Sequence, residues 1–378
     1  MSNEDMDLRH NHGSLVYVVR ACYNDDATDL IALGGEHTVE VLQVTASSST
    51  VVASFHVGTR ITALAWSSRT VSSSSSDQWF IELSVAGADF GLFLLTKSVS
   101  ANEAIMPFGG GLSGHHGKVN DMSFCGGRGE DSHRYVATVS DDKMLMVWDL
   151  DPALDIASAP SPGSDGSTSS APRPQPTAYV IAFPHPLTTV NSHPSTGKDF
   201  LVSDCRGSIF ITDWRSDPEE SEQGNWRHSN LVELVEPSAM SDAMTALSVQ
   251  WTGSAAWRRD AVDIIGATYG TKFSVWDITK LEGGKPTMTG VSFPEGGGHF
   301  RWCQSYPDYF AISNHLSPKG AVIHVHSMAF SHAQPNVITI APRPHHIRDF
   351  DFMASRGIPR IAAAVGKEVL IFSIAAES

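Results

Sequence analysis

Short stretches of alternating apolar and polar residues recur along the whole chain, and each follows a turn rich in Gly, Asn, Asp or Ser. Alternation with a period of two places every second side chain on the same face, which is typical of a half-buried β-strand. Seven such stretches are TVEVLQV from Thr38, FGLFLLT from Phe90, KMLMVWDL from Lys143, SIFITDW from Ser208, TKFSVWDI from Thr271, AVIHVHS from Ala321 and EVLIFSI from Glu368. The pattern predicts an all-β protein built from many short strands.

The turns that precede these stretches divide the chain into repeating units. The residues that end each preceding strand are Gly34, Asp89, Asp141, Asp204, Gly270, Asn314 and Gly366. Their spacing averages about 55 residues, against roughly 40–45 for a plain propeller repeat, and the excess lies in insertions. Seven units of four strands each predict a seven-bladed β-propeller, which is a ring of four-stranded sheets.

One unit, Gly114–Leu150, carries a specific set of marker residues. It starts with Gly114-His115, has a Ser-Asp-Asp turn at 140–142 and closes its third strand on Trp148-Asp149. This arrangement resembles the WD40 repeat, which implies a seven-bladed WD40-type β-propeller. The other units keep only parts of the pattern, since Trp276-Asp277 retains the last pair and Asp213-Trp214 reverses it.

The resemblance also implies a role for four residues of this unit. His115, Ser140, Asp142 and Trp148 occupy the positions at which WD40 repeats build a buried hydrogen-bonded chain. An imidazole can donate from one nitrogen and accept at the other, so it can link a carboxylate to a hydroxyl while an indole N–H ends the chain. The same residue types could form a Ser-His-Asp catalytic site. Because the spacing is that of the repeat, we interpret the set as a structural tetrad.

The repeats extend over most of the chain and leave short tails. We expect one propeller over 15–374, an N-terminal tail at 1–14 and a C-terminal tail at 375–378. Six prolines with many Ser, Gly and Ala at 151–176 predict a disordered insertion between the third and fourth strands of the third blade. Too few residues follow Ile374 for a fourth strand in the last blade. Either residues 2–10 supply that strand or the last blade has three strands.

Composition narrows the class of partner and the compartment. Lys and Arg total 26 against 41 Asp and Glu, a formal net charge of −15, which disfavours nucleic acid and anionic membranes as direct partners. The four cysteines, at 22, 125, 205 and 303, include no close pair that would indicate a zinc or redox site. The acidic N-terminus lacks a signal peptide's features, and no apolar run approaches the ~20 residues of a membrane span. We therefore expect a soluble protein of the cytosol or nucleus.

Two motifs that could indicate an enzyme or a metal site lack the neighbouring residues or elements that such sites need. Residues 109–114 satisfy the dinucleotide pattern G-x-G-x-x-G, but they lead into the Gly-His of a repeat and a strand rather than a helix. His324 and His326 share one face of a strand, yet no cysteine or carboxylate stands at a convincing third ligand position. We expect no enzymatic activity, no cofactor and no bound metal.

One stretch near the C-terminus departs from the acidic average. Between 343 and 360 it contains six arginine and histidine residues: Arg343, His345, His346, Arg348, Arg356 and Arg360. The stretch is either an ordinary solvated face or a docking patch for an acidic partner segment.

A finer resemblance extends over nearly the whole chain. The stretches that carry it are ALGG from Ala32, FHVG from Phe55, ITALAWS from Ile61, the unit Gly114–Leu150, VWDIT from Val275, FRW from Phe300 and HAQP from His332. Their content and order resemble the small WD-repeat nucleoporin family of the Y-shaped outer-ring complex of the nuclear pore. The insertion after Leu150 is longer than that family suggests.

This resemblance implies a non-enzymatic scaffold in the nuclear envelope. Such a subunit would dock as a monomer on the large arm nucleoporin of the Y complex, contact other outer-ring nucleoporins, and support pore assembly and the transport of protein and mRNA. The alternative is a WD-repeat adaptor of a ubiquitin-ligase or chromatin-associated complex. Ligase receptors usually carry W-D-x-R, whereas Asp151 and Thr279 stand at the fourth position here, which disfavours that class.

Overall fold

The computed structural model describes residues 8–151, 178–215, 231–234, 253–280, 284–314, 320–330 and 333–374. The described residues form 28 strands arranged as seven four-stranded antiparallel sheets. Helical structure in these ranges is limited to α1 at Asp131–Arg134 and two 3-10 turns, Gly111–Ser113 and Ile278–Lys280. The predicted fold class, an all-β seven-bladed propeller, is confirmed.

The first four blades follow the chain from the innermost strand outwards. Blade 1 comprises β2 (Val18–Ala21), β3 (Leu30–Gly34), β4 (Thr38–Val44) and β5 (Ser49–His56). Blade 2 comprises β6 (Ile61–Trp66), β7 (Phe80–Gly87), β8 (Leu92–Ser98) and β9 (Ala104–Gly109). Blade 3 comprises β10 (Val119–Phe124), β11 (Tyr135–Ser140), β12 (Met144–Asp149) and β13 (Ala178–Ala182). Blade 4 comprises β14 (Leu187–Ser192), β15 (Asp199–Asp204), β16 (Ile209–Asp213) and β17 (Leu231–Leu234).

The last three blades repeat this order, and the final one draws on both ends of the described chain. Blade 5 comprises β18 (Ser254–Trp257), β19 (Ile264–Tyr269), β20 (Lys272–Asp277) and β21 (Met288–Val291). Blade 6 comprises β22 (Gly297–Trp302), β23 (Tyr309–Asn314), β24 (Ala321–Ser327) and β25 (Asn336–Ala341). Blade 7 comprises β26 (Ile347–Phe352), β27 (Arg360–Val365), β28 (Glu368–Ser373) and β1 (Leu8–Asn11).

Blade 7 is closed by a strand from the N-terminal region. Leu8 pairs with Ile371 and Asn11 with Glu368, so β1 is the outermost strand of the sheet that ends the chain. The first residue past this strand also contacts the same blade, since the His12 N–H donates to the Lys367 carbonyl. Of the two alternatives that the sequence left open, the structure has the four-stranded last blade.

The innermost strands run in the same direction around the ring. The Val190 and Ser192 N–H groups of β14 donate to Asp121 and Ser123 of β10, an offset that fits parallel neighbours. Strands β26 and β2 are in contact, so the ring closes between blade 7 and blade 1. All seven innermost strands therefore begin at one face of the ring, which we call the first face, and end at the opposite, second face.

The apolar core lies between the blades. Seven buried clusters are present in the described residues, and each joins two neighbouring blades. The cluster between blades 7 and 1, for example, packs Ile31 and Leu42 against Ala362 and Ile371. Each blade buries both faces because alternate side chains of a strand point to opposite neighbours. The ring is thus held together by sheet-to-sheet packing around its full circumference.

Residues 152–177, which hold nearly all of the predicted insertion at 151–176, lie outside the described residues, as does the tail at 375–378. The strands on either side of the insertion, β12 and β13, pair directly with each other. The insertion therefore connects the third and fourth strands of blade 3, where the sequence placed it.

Candidate protein-docking surface

The marker residues of blade 3 form a buried chain of hydrogen bonds. The Trp148 indole donates to Thr138 Oγ1 at 2.9 Å, His115 Nε2 lies 2.7 Å from the same hydroxyl, and His115 Nδ1 lies 2.9 Å from Asp142 Oδ2. Burial lowers the pKa of His115 despite the nearby carboxylate, so the ring is neutral at pH 7. The bonding is consistent with Nδ1–H donating to Asp142 and the threonine O–H donating to Nε2.

Ser140 is not part of this chain. Its hydroxyl accepts a hydrogen bond from the Asp142 backbone N–H at 3.2 Å and so shapes the turn after β11. Thr138 takes the predicted place of Ser140 because of the register of the strand pair. Trp148 lies opposite Val136, so the Trp148 indole reaches Thr138, the next residue along β11 on the same face as Val136. The prediction placed the hydroxyl two residues too far along the strand.

Other blades lack the hydroxyl that this chain needs. In blade 5 the position equivalent to Thr138 is Ala267, and the Trp276 indole donates instead to the Gly284 carbonyl at 3.0 Å. Asp149, the last marker residue of blade 3, receives two hydrogen bonds from Arg134 at 2.8 and 2.6 Å. These contacts stabilise the blades to which they belong.

A repeated polar contact joins neighbouring innermost strands. In four of the seven innermost strands, a side chain near the start of the strand accepts a backbone N–H from a neighbouring blade. The pairs are Asp121 with Val190, Thr189 with Ala255, Ser254 with Phe300 and Asp349 with Val19. In three of these strands the residue follows a register shift in the pairing with the second strand. Such a bulge turns the side chain towards the neighbouring blade.

An ion network spans the channel beside these contacts. Arg20 of blade 1 contacts Asp349 of blade 7 and, at 3.2 Å, Asp121 of blade 3. Arg301 of blade 6 lies 3.3 Å from Asp349 and 3.9 Å from Asp351. Burial opposes ionisation of Asp349, but the nearby cationic groups outweigh it and lower its pKa. The network therefore links blades 1, 3, 6 and 7 across the channel.

The predicted basic patch is divided between two faces. Arg343, His345 and His346 are exposed in the segment that leads into β26, and Arg348 is the second residue of that strand, so these four lie at the first face. Arg356 and Arg360 lie beyond the other end of β26, at the second face, where Arg360 donates to the Thr45 carbonyl. The six residues do not form one patch, because most of the length of β26 separates the two groups.

At the first face, Arg348 belongs to a cluster that the sequence did not indicate. Its guanidinium carbon lies 4.8 Å from the centre of the Tyr17 ring, and that of Arg60 lies 5.3 Å from the same centre. The Tyr17 hydroxyl donates to Glu36 at 2.5 Å. Burial and this contact with Glu36 raise the pKa of Tyr17. We call Tyr17, Arg60 and Arg348 the arginine–tyrosine cluster.

A cleft of about 280 Å³ opens at the second face between blades 5, 6 and 7. Phe330 stands exposed at its edge, and His326 lines it. The His326 ring stacks on Phe310 with centroids 5.0 Å apart and has no hydrogen-bond partner at Nε2. Within the described residues no group of three or more His, Cys, Asp or Glu side chains is placed to hold a metal ion.

The sequence offered one signal for the channel residues. Arg20 stands in the apolar stretch VVRA, and two aspartates alternate with apolar residues in IRDFDF, which are unusual places for charge in an innermost strand. The arginine–tyrosine cluster left no such signal, because Tyr17, Arg60 and Arg348 are far apart in the chain and each lies at a strand start.

Comparison with solved structures supports the architecture. The chain is similar to Raptor from Chaetomium thermophilum in a crystal structure, with a TM-score of 0.64 and 14% identity, over 98% of this chain and 29% of the Raptor chain. This similarity shows the fold. The chain spans under a third of that neighbour's length. No protein-family profile and no curated protein matches the sequence. No helix among the described residues is long and apolar enough to cross a membrane.

Proposed function

We propose that this chain is a non-enzymatic scaffold that binds other proteins through the faces of its ring. The observation that carries the proposal is that carboxylates along the channel join the blades. The side chains of Asp121, Asp349 and Asp351 accept hydrogen bonds from backbone N–H groups of other blades. These hydrogen bonds stabilise the ring as a platform. In blade 3, His115 and Asp142 of the Ser-His-Asp-like set likewise belong to a buried chain that ends on Trp148.

The more specific proposal is that the protein belongs to the outer ring of the nuclear pore. Its support is the set of sequence stretches that resemble the small WD-repeat nucleoporins, above all those in blades 1, 2 and 6, which are not part of the general WD40 pattern. In this role it docks as a single copy on the large arm nucleoporin of the Y complex, at the nuclear envelope, without cofactor.

Affinity isolation of the tagged full chain from cells tests this proposal. The expected result is recovery of outer-ring nucleoporins together with staining of the nuclear rim by the tagged protein. Recovery of a cullin adaptor or of a histone-containing complex without nucleoporins would replace the proposal with the adaptor alternative. Stable binding to no other protein would contradict the scaffold function itself.

A further inference from the structure

We propose that the arginine–tyrosine cluster at the first face is a docking site for an acidic peptide segment of a partner protein. The inference rests on the proposed protein-binding function and assigns the surface and the chemistry of one contact. The cluster combines residues from three consecutive blades: Arg348 from blade 7, Tyr17 from blade 1 and Arg60 from blade 2.

The backbone holds both arginines in place. The Arg60 carbonyl accepts a hydrogen bond from the Ala88 N–H, and the Arg348 carbonyl lies 3.1 Å from His299 Nε2. Tyr17 immediately precedes β2 and Arg60 immediately precedes β6, so both side chains start from the edge of rigid strands. A site built on the ends of strands loses little conformational entropy when it binds.

The two guanidinium groups form no ion pair with any residue that the structure describes. Neither Arg60 nor Arg348 lies within ion-pair distance of a carboxylate among the described residues, and Arg348 Nε has no hydrogen-bond partner. Both distances are measured to one ring, so the guanidinium carbons are at most about 10 Å apart. Two carboxylates of neighbouring side chains on an extended peptide can span such a separation.

Further cations lie along the same rim. Lys118, directly before β10 in blade 3, and Arg343, in the segment before β26, are both exposed at the first face. Glu36 is the acidic group beside Tyr17, and its carboxylate is already engaged by the tyrosine hydroxyl. Exposed carboxylates also stand at this face, at Asp89 in blade 2 and Asp141 in blade 3, so the site for negative charge is confined to the arginine–tyrosine cluster itself.

The overall charge favours a peptide over a nucleic acid as the occupant. In a chain with a formal net charge of −15, a long polyanion would also lie over exposed carboxylates such as Asp89 and Asp141, whereas a short acidic segment can contact Arg60 and Arg348 alone. Arginine forms paired hydrogen bonds with carboxylates, which gives the contact direction as well as attraction.

The test measures fluorescence anisotropy of a fluorescein-labelled hexaglutamate peptide with the full chain in 50 mM salt. We expect saturable binding that weakens in 300 mM salt, and we expect labelled hexaglutamine not to bind. Arg60→Glu should weaken binding at least tenfold, because it replaces an attraction with a repulsion. Glu36→Gln should strengthen binding severalfold, since it removes a negative charge beside the site.

Arg356→Glu is the matched control. Arg356, like Arg60, is an exposed arginine, but it lies at the second face, so its substitution should change affinity less than twofold. Circular dichroism checks that each variant is folded. An equal loss in Arg356→Glu, absence of hexaglutamate binding, or equally tight binding of a labelled dT12 oligonucleotide would overturn the proposal.

Affinity isolation with the same variants separates this inference from the proposed function. If the wild-type chain recovers partner proteins and Arg60→Glu recovers them equally, the docking site is wrong and the scaffold function stands. If the wild-type chain recovers no partner while the peptide binds as described, the function is wrong and the site stands as a property of the surface.

Discussion

At the residue scale, the Thr138 hydroxyl makes hydrogen bonds with two ring nitrogens, one of Trp148 in β12 and one of His115 in the loop before β10. It accepts from the Trp148 indole at 2.9 Å and lies 2.7 Å from His115 Nε2. Thr138→Val keeps the shape of the side chain and leaves both nitrogens buried without a partner. Each unsatisfied group costs about 1–3 kcal/mol, so we expect the free energy of unfolding to fall by about 2–4 kcal/mol in urea titrations.

Ser140→Ala is the control for that change. Ser140 is buried on the same strand, but its hydroxyl accepts only one backbone hydrogen bond from Asp142. Its removal should cost about 1 kcal/mol. A larger loss for Ser140→Ala than for Thr138→Val would restore the serine to the central position that the sequence suggested for it.

His326 provides a second prediction at this scale. Burial, with a smaller effect of His324, lowers the pKa of His326 to about 4. In the unfolded chain its pKa is near 6.5, so as pH falls from about 6.5 to about 4 the unfolded state takes up a proton that the folded state does not. The folded state therefore loses stability across this range.

His326→Phe should remove that contribution. The phenyl ring can stack on Phe310 as the imidazole does, and it has no nitrogen that lacks a partner. We expect unfolding free energy at pH 7 to be unchanged or raised by about 1 kcal/mol. Urea titrations at pH 7 and pH 5 should show a smaller loss of unfolding free energy on acidification than in the wild type. An identical loss would contradict the lowered pKa of His326.

At the scale of elements, strand β1 shows how pairing can override a poor strand propensity. Its residues, LRHN, are weak strand formers, and the edge of β28 supplies the backbone partners that order them. Deletion of residues 1–11 should leave β28 as an exposed edge. We expect faster amide exchange within Glu368–Ile371, the residues that pair with β1, and a lower melting temperature.

Strand β24 in blade 6 serves as the internal reference for this experiment, because it lies between two other strands of its own sheet. Its amides should keep their protection relative to global unfolding. If the amides of Glu368–Ile371 exchange at the same rate with and without residues 1–11, β1 does not stabilise the last blade in solution.

Sequence patterns located the elements better than the contacts of single side chains. The stretches from Thr38 and from Ala321 coincide with β4 and β24, because alternation and turn residues are local properties. The choice between Thr138 and Ser140 is not local: both lie on the same face of one strand, and the register of Trp148 decides between them. The strand that separates Arg348 from Arg356 likewise divides a run that is continuous only in sequence.

At the scale of the whole molecule, the channel network joins residues that no local pattern relates. Arg20, Asp121 and Asp349 come from blades 1, 3 and 7, and they meet only because the ring closes. Periodicity predicted the number of blades, but which side chains face each other across the channel depends on the rotation of each blade about the axis. The same holds for Tyr17, Arg60 and Arg348 at the first face.

Arg20→Met tests whether this network stabilises the closed ring. The substitution keeps an apolar stem and leaves Asp121 and Asp349 with less compensation for their buried charge, so we expect a loss of about 3–5 kcal/mol. In the wild type, the pKa of Asp349 is lowered, so its ionised form stabilises the fold above pH 4 and that contribution disappears as pH falls through the folded pKa.

In Arg20→Met the pKa of Asp349 should rise, because burial then acts with less opposing charge. Protonation on going from pH 7 to pH 5 would relieve the unpaired charge, so the difference in unfolding free energy between wild type and variant should shrink over that range. Wild type and variant are compared at each pH because histidines such as His326 lower the stability of both proteins on acidification.

Arg9→Met is the control. Arg9 forms an exposed ion pair with Glu368 at 4.0 Å, so the substitution should change the free energy of unfolding by less than about 0.5 kcal/mol at either pH. A difference for Arg20→Met that stays constant from pH 7 to pH 5 would mean that the arginine acts through packing rather than through its charge.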